Sequence, residues 1–443
     1  MTNPLQLRAL NDYAWPVIIA HRGNASINVE NSMSAFSASS AVGAPVEMDA
    51  VIINDSSELG VMHDTTVDRT TSSTGNASSF TATQWKAITL DPSAWFGAGY
   101  PDTEKLPLFS EVCALMANRG VFLPEAKNTG SGLLICKIAK RFGIQSKQMI
   151  VQSFNLDELV APAAYGYECL FLVSALSTIT DWQALKDLKI KYVCYGNSES
   201  GNDARIAAAK SIGINVLRYT LNRRTDVATE SALGAIGVMT DEYLYLSRST
   251  AIATRDTFTA DGKWMSGMVA NNSNRGSIYA GHVWGYATTV AAAYSGALMG
   301  WACPLATPTN FTLTFTAKHE SLLSGDTSRW ISAFICADDD TEHKDLSTDQ
   351  VSGYHVLVRA NGQMNIYSKA KGGAASLIAT SSGTAFTIGN FVTFTVVVTP
   401  TTVSITRSDV AQTTTLTDST YRGGYFHLGR NGCTAKFKDI IIT

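Results

Sequence analysis

The chain has 443 residues, too many for one ordinary core, so two domains are expected. Only 16% of the residues are charged, against about 25% in typical soluble domains, and the net charge is −3. That balance excludes the basic footprint of a nucleic-acid binder. The seven cysteines are odd in number, widely spaced and lack any CxxC pair. They read as free thiols of a chain folded in a reducing compartment, not as a disulfide scaffold.

In chain order, residues 1–15 read as an N-terminal arm. The stretch MTNPLQLRALNDYAWP has no basic region followed by an apolar one, so no signal peptide is expected. From residue 16 to 248 short apolar runs alternate with helical patterns. The runs are VIIA, VEMDAVII, GVMHD, VFLPEAK, MIVQSF, CLFLVS, YVCYG, INVLRYT and IGVMTD. Several of the intervening helical patterns end in Gly, as helix C-termini prefer. About eight such units predict a TIM (β/α)8 barrel, with an open doubly wound sheet as the alternative. The insert Thr65 to Ser110 interrupts the rhythm and is expected to be a functional loop or small subdomain.

Residues 249–308 are expected to be a connector. Within it the segment Tyr286 to Thr307 is uncharged. Its Thr, Ser, Gly and Pro break the apolar run short of the ~18 residues a membrane span needs. It reads as a packed segment and a candidate homotrimer contact, and no membrane span is expected. Residues 309–443 form short β-branched runs separated by turn residues such as Asn361-Gly362. This pattern predicts an all-β antiparallel sandwich.

In a barrel, functional groups collect where strands end. There the sequence places His21-Arg22, Glu47, Asp49, His63-Asp64, Glu125, Lys127 and Gln152. Glu47 and Asp49 are two apart on a strand and share a face, which is either the barrel interior or its outer surface. On an inward face two carboxylates need a neutralising partner. A hard divalent cation, Ca2+ or Mg2+, with Glu125 as third ligand, would serve. His21 and His63 are each more often structural when alone, but together beside carboxylates they suit acid–base work. Arg22 and Lys127 suit a phosphate, or surface ion pairs.

The segments HRGNASINVENSMSAF, VEMDAVIINDSSELGVMHDTTVDRTT, LPEAKN, VQSF and GVMTD, in this order, resemble the glycerophosphodiester phosphodiesterase family. The resemblance covers roughly residues 16 to 245. It implies a TIM barrel that cleaves glycerophosphodiesters with a divalent metal. It further implies that His21 and His63 are the catalytic acid–base pair and that Glu47, Asp49 and Glu125 hold the metal. Arg22 and Lys127 would contact phosphate, and Glu30 and Asn31 would brace the first loop. Gly23 would let the backbone pass close to substrate or metal. The nucleophile is water or a neighbouring glycerol hydroxyl. Two positions depart from the family pattern. Val29 replaces a proline, and Arg218 stands where an aromatic wall is common, which points to an anionic or larger substrate.

The closing stretch TYRGGYFHLGRNGCTAKFKDIII resembles the last strands of concanavalin-like lectin and laminin-G-type sandwiches. That resemblance implies a surface glycan as partner, or an oligomerising role. The run Ala337 to Glu342 is either a Ca2+ loop or a solvated acidic loop. A diesterase barrel joined to such a sandwich suggests a phage tail depolymerase, in the virion tail or extracellular. Its substrate would be a glycerol-phosphate polymer such as teichoic acid or a phosphate-bearing capsule. The alternatives are a secreted or cell-wall-associated glycerophosphodiesterase with a glycan-binding domain, and a non-enzymatic cell-surface binding protein.

Overall fold

The computed structural model describes residues 8–26, 28–92, 103–196, 199–247, 255–256, 297–304, 307–341, 343 and 347–443. They fall into two compact units that divide near residue 247.

In the first unit eight parallel strands close into a barrel. They are β1 (Val17–Ala20), β2 (Val46–Ile52), β4 (Phe122–Ala126), β5 (Ile150–Ser153), β6 (Glu168–Val173), β7 (Ile190–Tyr195), β8 (Asn215–Arg218) and β9 (Gly237–Thr240). The ring runs β1-β9-β8-β7-β6-β5-β4-β2 and closes where Ala20 of β1 pairs with Val46 of β2. Period-two alternation sorts the side chains. Val17, Ile19, Leu123, Ile150, Leu170, Tyr192 and Leu217 pack together inside the barrel. Val46, Met48, Ala50, Phe122, Val151 and Val216 face the helices instead. That parity answers the open question about β2. With Met48 and Ala50 facing outward, Glu47 and Asp49 lie on the inward face.

The GVMHD run departs from expectation. Its strand β3 (Leu59–Val61) is antiparallel to β2, pairing Val51 with Gly60, and is not a barrel strand. Only six residues separate Ile52 from Leu59, too few for the crossover a parallel pair requires. The insert that follows is anchored by the fully buried Trp85, whose indole N–H donates to the Pro107 carbonyl at 2.9 Å.

The second unit is a sandwich of two six-stranded antiparallel sheets, borne out as expected. One runs β10-β21-β12-β17-β18-β19 and the other β11-β20-β13-β14-β15-β16. The expected runs form β12 (Phe311–Leu322), β13 (Trp330–Ala337), β14 (Gly353–Arg359), β15 (Met364–Lys369), β16 (Ala375–Ser381), β17 (Val392–Val398), β18 (Thr402–Arg407), β20 (Tyr425–Asn431) and β21 (Cys433–Ile442). Phe315, Val356, Phe394, Ile405, Leu428 and Phe437 interlock in its core. A further strand, β19 (Gln412–Thr417), alternates buried and exposed residues while carrying mostly threonine. The segment 249–308, expected as a connector, contributes β10 (Arg255–Asp256) and β11 (Ala297–Pro304), which pair with β21 and β20. The rest of the uncharged 286–307 segment, apart from Thr307, lies outside the described residues.

The Ala337 to Glu342 run is not a solvated loop throughout, since Asp340 is fully buried. Asp338 and Asp339 accept the backbone N–H groups of Ser352 and Thr341. Cys113, Cys136, Cys169, Cys194, Cys336 and Cys433 are buried free thiols. No helix among the described residues is long and apolar enough to cross a membrane.

Candidate active site

At Ala20 the first strand ends in a tight turn, His21–Gly23, that carries two groups toward the barrel mouth. Arg22 has a left-handed backbone, φ 49°, and its N–H donates to Glu47 Oε2 at 2.8 Å. Gly23 also has a left-handed backbone, φ 81°. A Cβ there would lie 2.7 Å from Ala35 Cβ, so the glycine admits the helix Met33–Ala41.

Glu47, Asp49 and Glu125 converge on the inward face, each offering an oxygen within 4.8 Å of the others, and all three are buried. Asn31 grips Asp49 twice, donating from Nδ2 to Oδ2 at 2.8 Å and accepting the Asp49 N–H at 3.1 Å. The cations stand on the same carboxylates. Arg22 Nε lies 3.5 Å from Asp49, and Lys127 Nζ lies 3.4 Å from Asp49 and 3.1 Å from Glu125.

The electrostatics of the three acids diverge. Burial opposes the charge on Asp49, but Arg22 and Lys127 outweigh it and hold the carboxyl well below its ordinary range. Burial, reinforced by the Asp49 charge, pushes Glu125 up to about 8 and Glu47 well above its usual value. Two cations thus leave three acids under-neutralised. Oxygen-only donors at this spacing, with positive charge in deficit, fit a hard divalent cation of the Mg2+ or Ca2+ kind. Gln152 completes the wall. Its amide donates to Glu47 Oε1 at 2.8 Å while its buried Oε1 has no hydrogen-bond partner.

Each histidine is tethered through Nδ1 to a carboxylate. His21 Nδ1 is 2.8 Å from Asp241 Oδ1, and its Nε2 is 4.0 Å from Glu47. Asp241 follows β9 and is itself placed by Asn222, whose Oδ1 accepts the Asp241 N–H at 2.9 Å. His63 Nδ1 is 2.7 Å from Asp64 Oδ1. An ionised carboxylate only accepts, so each Nδ1 carries the proton and each Nε2 is left for chemistry. Burial pushes the His63 ring below its ordinary value, with the Asp49 charge opposing, so His63 is mainly neutral at pH 7.

Glu30 lies behind this site. It accepts from Arg22 Nη1 at 3.1 Å and from both terminal nitrogens of Arg69. All nine candidate residues therefore gather at one end of the barrel.

Arg218 is a correction. It shares the outward parity of Val216, ion-pairs with Glu230 at 3.4 Å and stacks over Tyr195, away from the barrel interior. Tyr219 takes the aromatic position. Its ring meets Phe154 edge-on at 6.1 Å, its hydroxyl donates to the Val173 carbonyl, and Phe154 is half exposed. A Cβ on Gly196 would fall 2.6 Å from the Tyr219 ring, so that glycine makes room for the wall. Sequence reasoning also missed Asp241 as a tether, although it closes the GVMTD run, and Arg69, although it opens the RTT segment.

An eight-stranded barrel with paired tethered histidines, a buried carboxylate triad and two adjoining cations gathers the groups that acid–base hydrolysis of an anionic substrate requires. Residues 21–244 match the glycerophosphoryl diester phosphodiesterase family, and the chain belongs to it. Its barrel is a phosphoric diester hydrolase domain of that type. The chain is 27% identical over 245 residues to a glycerophosphodiester phosphodiesterase of Bacillus subtilis, covering 50% of this chain and 82% of that protein. It is 25% identical over 241 residues to one from Caldanaerobacter subterraneus, covering 51% of this chain and 94% of that protein. A solved phosphodiesterase of Oleispira antarctica, in complex with the product sn-glycerol-3-phosphate, is 22% identical with a TM-score of 0.48. That comparison covers 53% of this chain and 96% of the other.

Proposed function

We propose that the barrel cleaves glycerophosphodiester linkages with His21 and His63 as its acid–base pair. The observation that carries this reading is the matched tethering of the two rings, His21 on Asp241 and His63 on Asp64, around one carboxylate cluster. Arg22 and Lys127 hold the non-bridging phosphate oxygens, and the Arg22 Nε, buried without a hydrogen bond, is a donor suited to one of them. His63, neutral at pH 7, takes the proton from the attacking hydroxyl at Nε2. His21 has the complementary role, giving a proton from Nε2 to the leaving alkoxide. Glu47, Asp49 and Glu125 would hold a divalent cation, which when bound supplies Lewis-acid stabilisation of the phosphate charge. Tyr219 and Phe154 wall the mouth and shield the departing alcohol from water.

The finer reading is a glycerol-phosphate polymer as substrate, teichoic acid or a phosphate-bearing capsule, cut by a virion-borne depolymerase. The sandwich of more than a hundred residues supports it, since a small diffusible diester needs no second unit to hold it. In that reading the sandwich retains surface glycan and the protein works as a trimer. The test is digestion of glycerophosphoglycerol and of purified wall polymers, with and without chelator, with products read by mass spectrometry. Release of glycerol phosphate that is lost in the His63→Ala variant supports the diesterase. Cleavage of small diesters with every polymer left intact would sink the polymer reading.

A further inference from the structure

We propose that Arg69 is a positioning residue that sets the phosphate-binding Arg22 and the base His63 in register, by gripping one carboxylate behind each. The proposal rests on the diesterase reading of the site.

The geometry is a relay. Arg69 Nε donates to Asp64 Oδ2 at 2.5 Å, while Nη2 and Nη1 donate to Glu30 Oε1 and Oε2 at 2.7 and 3.1 Å. Asp64 spends its other oxygen on His63, and Glu30 Oε1 also holds Arg22. One planar guanidinium thus spans two carboxylates, and each carboxylate carries one working group. The two working groups lie on separate excursions, Arg22 after β1 and His63 after the antiparallel β3. Among the described residues no backbone ladder ties those excursions together at this point, whereas Glu47, Asp49 and Glu125 sit on adjacent strands of one sheet.

His63 needs the support most. Its side chain is 37% exposed, against 14% for His21, whose carboxylate partner Asp241 is buried. Arg69 is itself 41% exposed, so the ion pairs add little to global stability once solvent screens them. Their effect is angular. A guanidinium has the fork to bond both carboxylates at fixed directions, and a lysine ammonium has only a point charge to share between them. Arg69 touches no reacting atom, and it acts only through Asp64 and Glu30.

The test compares Arg69→Ala and Arg69→Lys in the full chain, with glycerophosphoglycerol as substrate and a folding check by circular dichroism. Both variants are expected to lose kcat by about 10–100-fold, the usual effect of removing a group that orients a working residue, with KM changed far less. Millimolar guanidinium ion is expected to restore Arg69→Ala several-fold and to leave Arg69→Lys unchanged. Histidine ring nitrogen NMR adds a readout independent of turnover. Wild type is expected to show His63 as one tautomer with the proton on Nδ1, and both variants a mixture. If Arg69→Ala keeps that single tautomer and a kcat within about twofold of wild type, beyond the smallest effect expected of such a group, the proposal falls. If wild type itself turns over no glycerophosphodiester, the functional reading fails, and the NMR arm still decides whether Arg69 places His63.

Discussion

Stripped of divalent cations, the barrel is expected to lose stability as pH rises from 5 to 8, opposite to the trend of an ordinary carboxylate. The cause is Glu125, pushed from 4.5 to about 8 by burial and the Asp49 charge. A group whose folded value is raised binds its proton more tightly when folded. Its stabilisation is complete below pH 4.5 and is lost as pH passes through about 8. At about 1.4 kcal/mol per pH unit, that rise is worth on the order of 5 kcal/mol across the full window. Glu47 is raised in the same direction and adds to the slope, while Asp49, held low, gives stability that is constant over this window and is lost only in acid. The assay is urea unfolding in chelator at stepped pH, read by hydrogen exchange in the Val46–Ile52 strand so that the barrel is followed apart from the sandwich. Glu125→Gln, neutral throughout, should reduce the slope, leaving the part due to Glu47, and gain stability at pH 8 relative to wild type. Saturating Mg2+ or Ca2+ should flatten it too, because the cation replaces the protons. A chelated wild type with pH-independent stability, or a Gln variant with an unchanged slope, would refute the reasoning.

Other expectations concern the chemistry. His21→Ala and His63→Ala should each lower kcat by about 10²–10⁴-fold while the fold persists, and near-normal turnover in both would remove the acid–base assignment. Asp241→Asn should lower kcat by about 10–100-fold, because the amide no longer dictates which His21 nitrogen carries the proton; the histidine ring NMR signal checks it directly. Phe154→Ala deletes a half-exposed ring on the aromatic wall, so KM should rise about tenfold with kcat nearly unchanged, as for loss of uniform binding.

Much of the barrel was legible because its two side-chain environments follow a period of two, and apolar runs with Glu47, Asp49 and Glu125 at matching parity declare themselves. The GVMHD run misled because local alternation is blind to strand direction, which the six-residue link to Leu59 determines. Strand Gln412–Thr417 escaped because its buried face reads Gln412, Thr414 and Leu416, and the two polar residues, both bonded to Ser381, replace the apolar face that signals a strand. Arg218 was misplaced for a related reason: a one-residue difference on β8 exchanges interior for exterior, and Tyr219, not Arg218, leans into the mouth. Asp241 was invisible as a partner of His21, and Arg69 as a partner of Glu30, because those contacts span 220 and 39 residues, and no local pattern encodes such pairings.

The hydrogen bond between His21 and Asp241 joins the first strand of the barrel to the last. A ribosome therefore delivers the histidine some 220 residues before the group that orients it. Until β9 slots against β1, the nascent barrel holds its carboxylates but has one unaimed imidazole. The onset of turnover is thus a chemical reporter of ring closure, and it should lag behind the burial of the early strands in any refolding experiment.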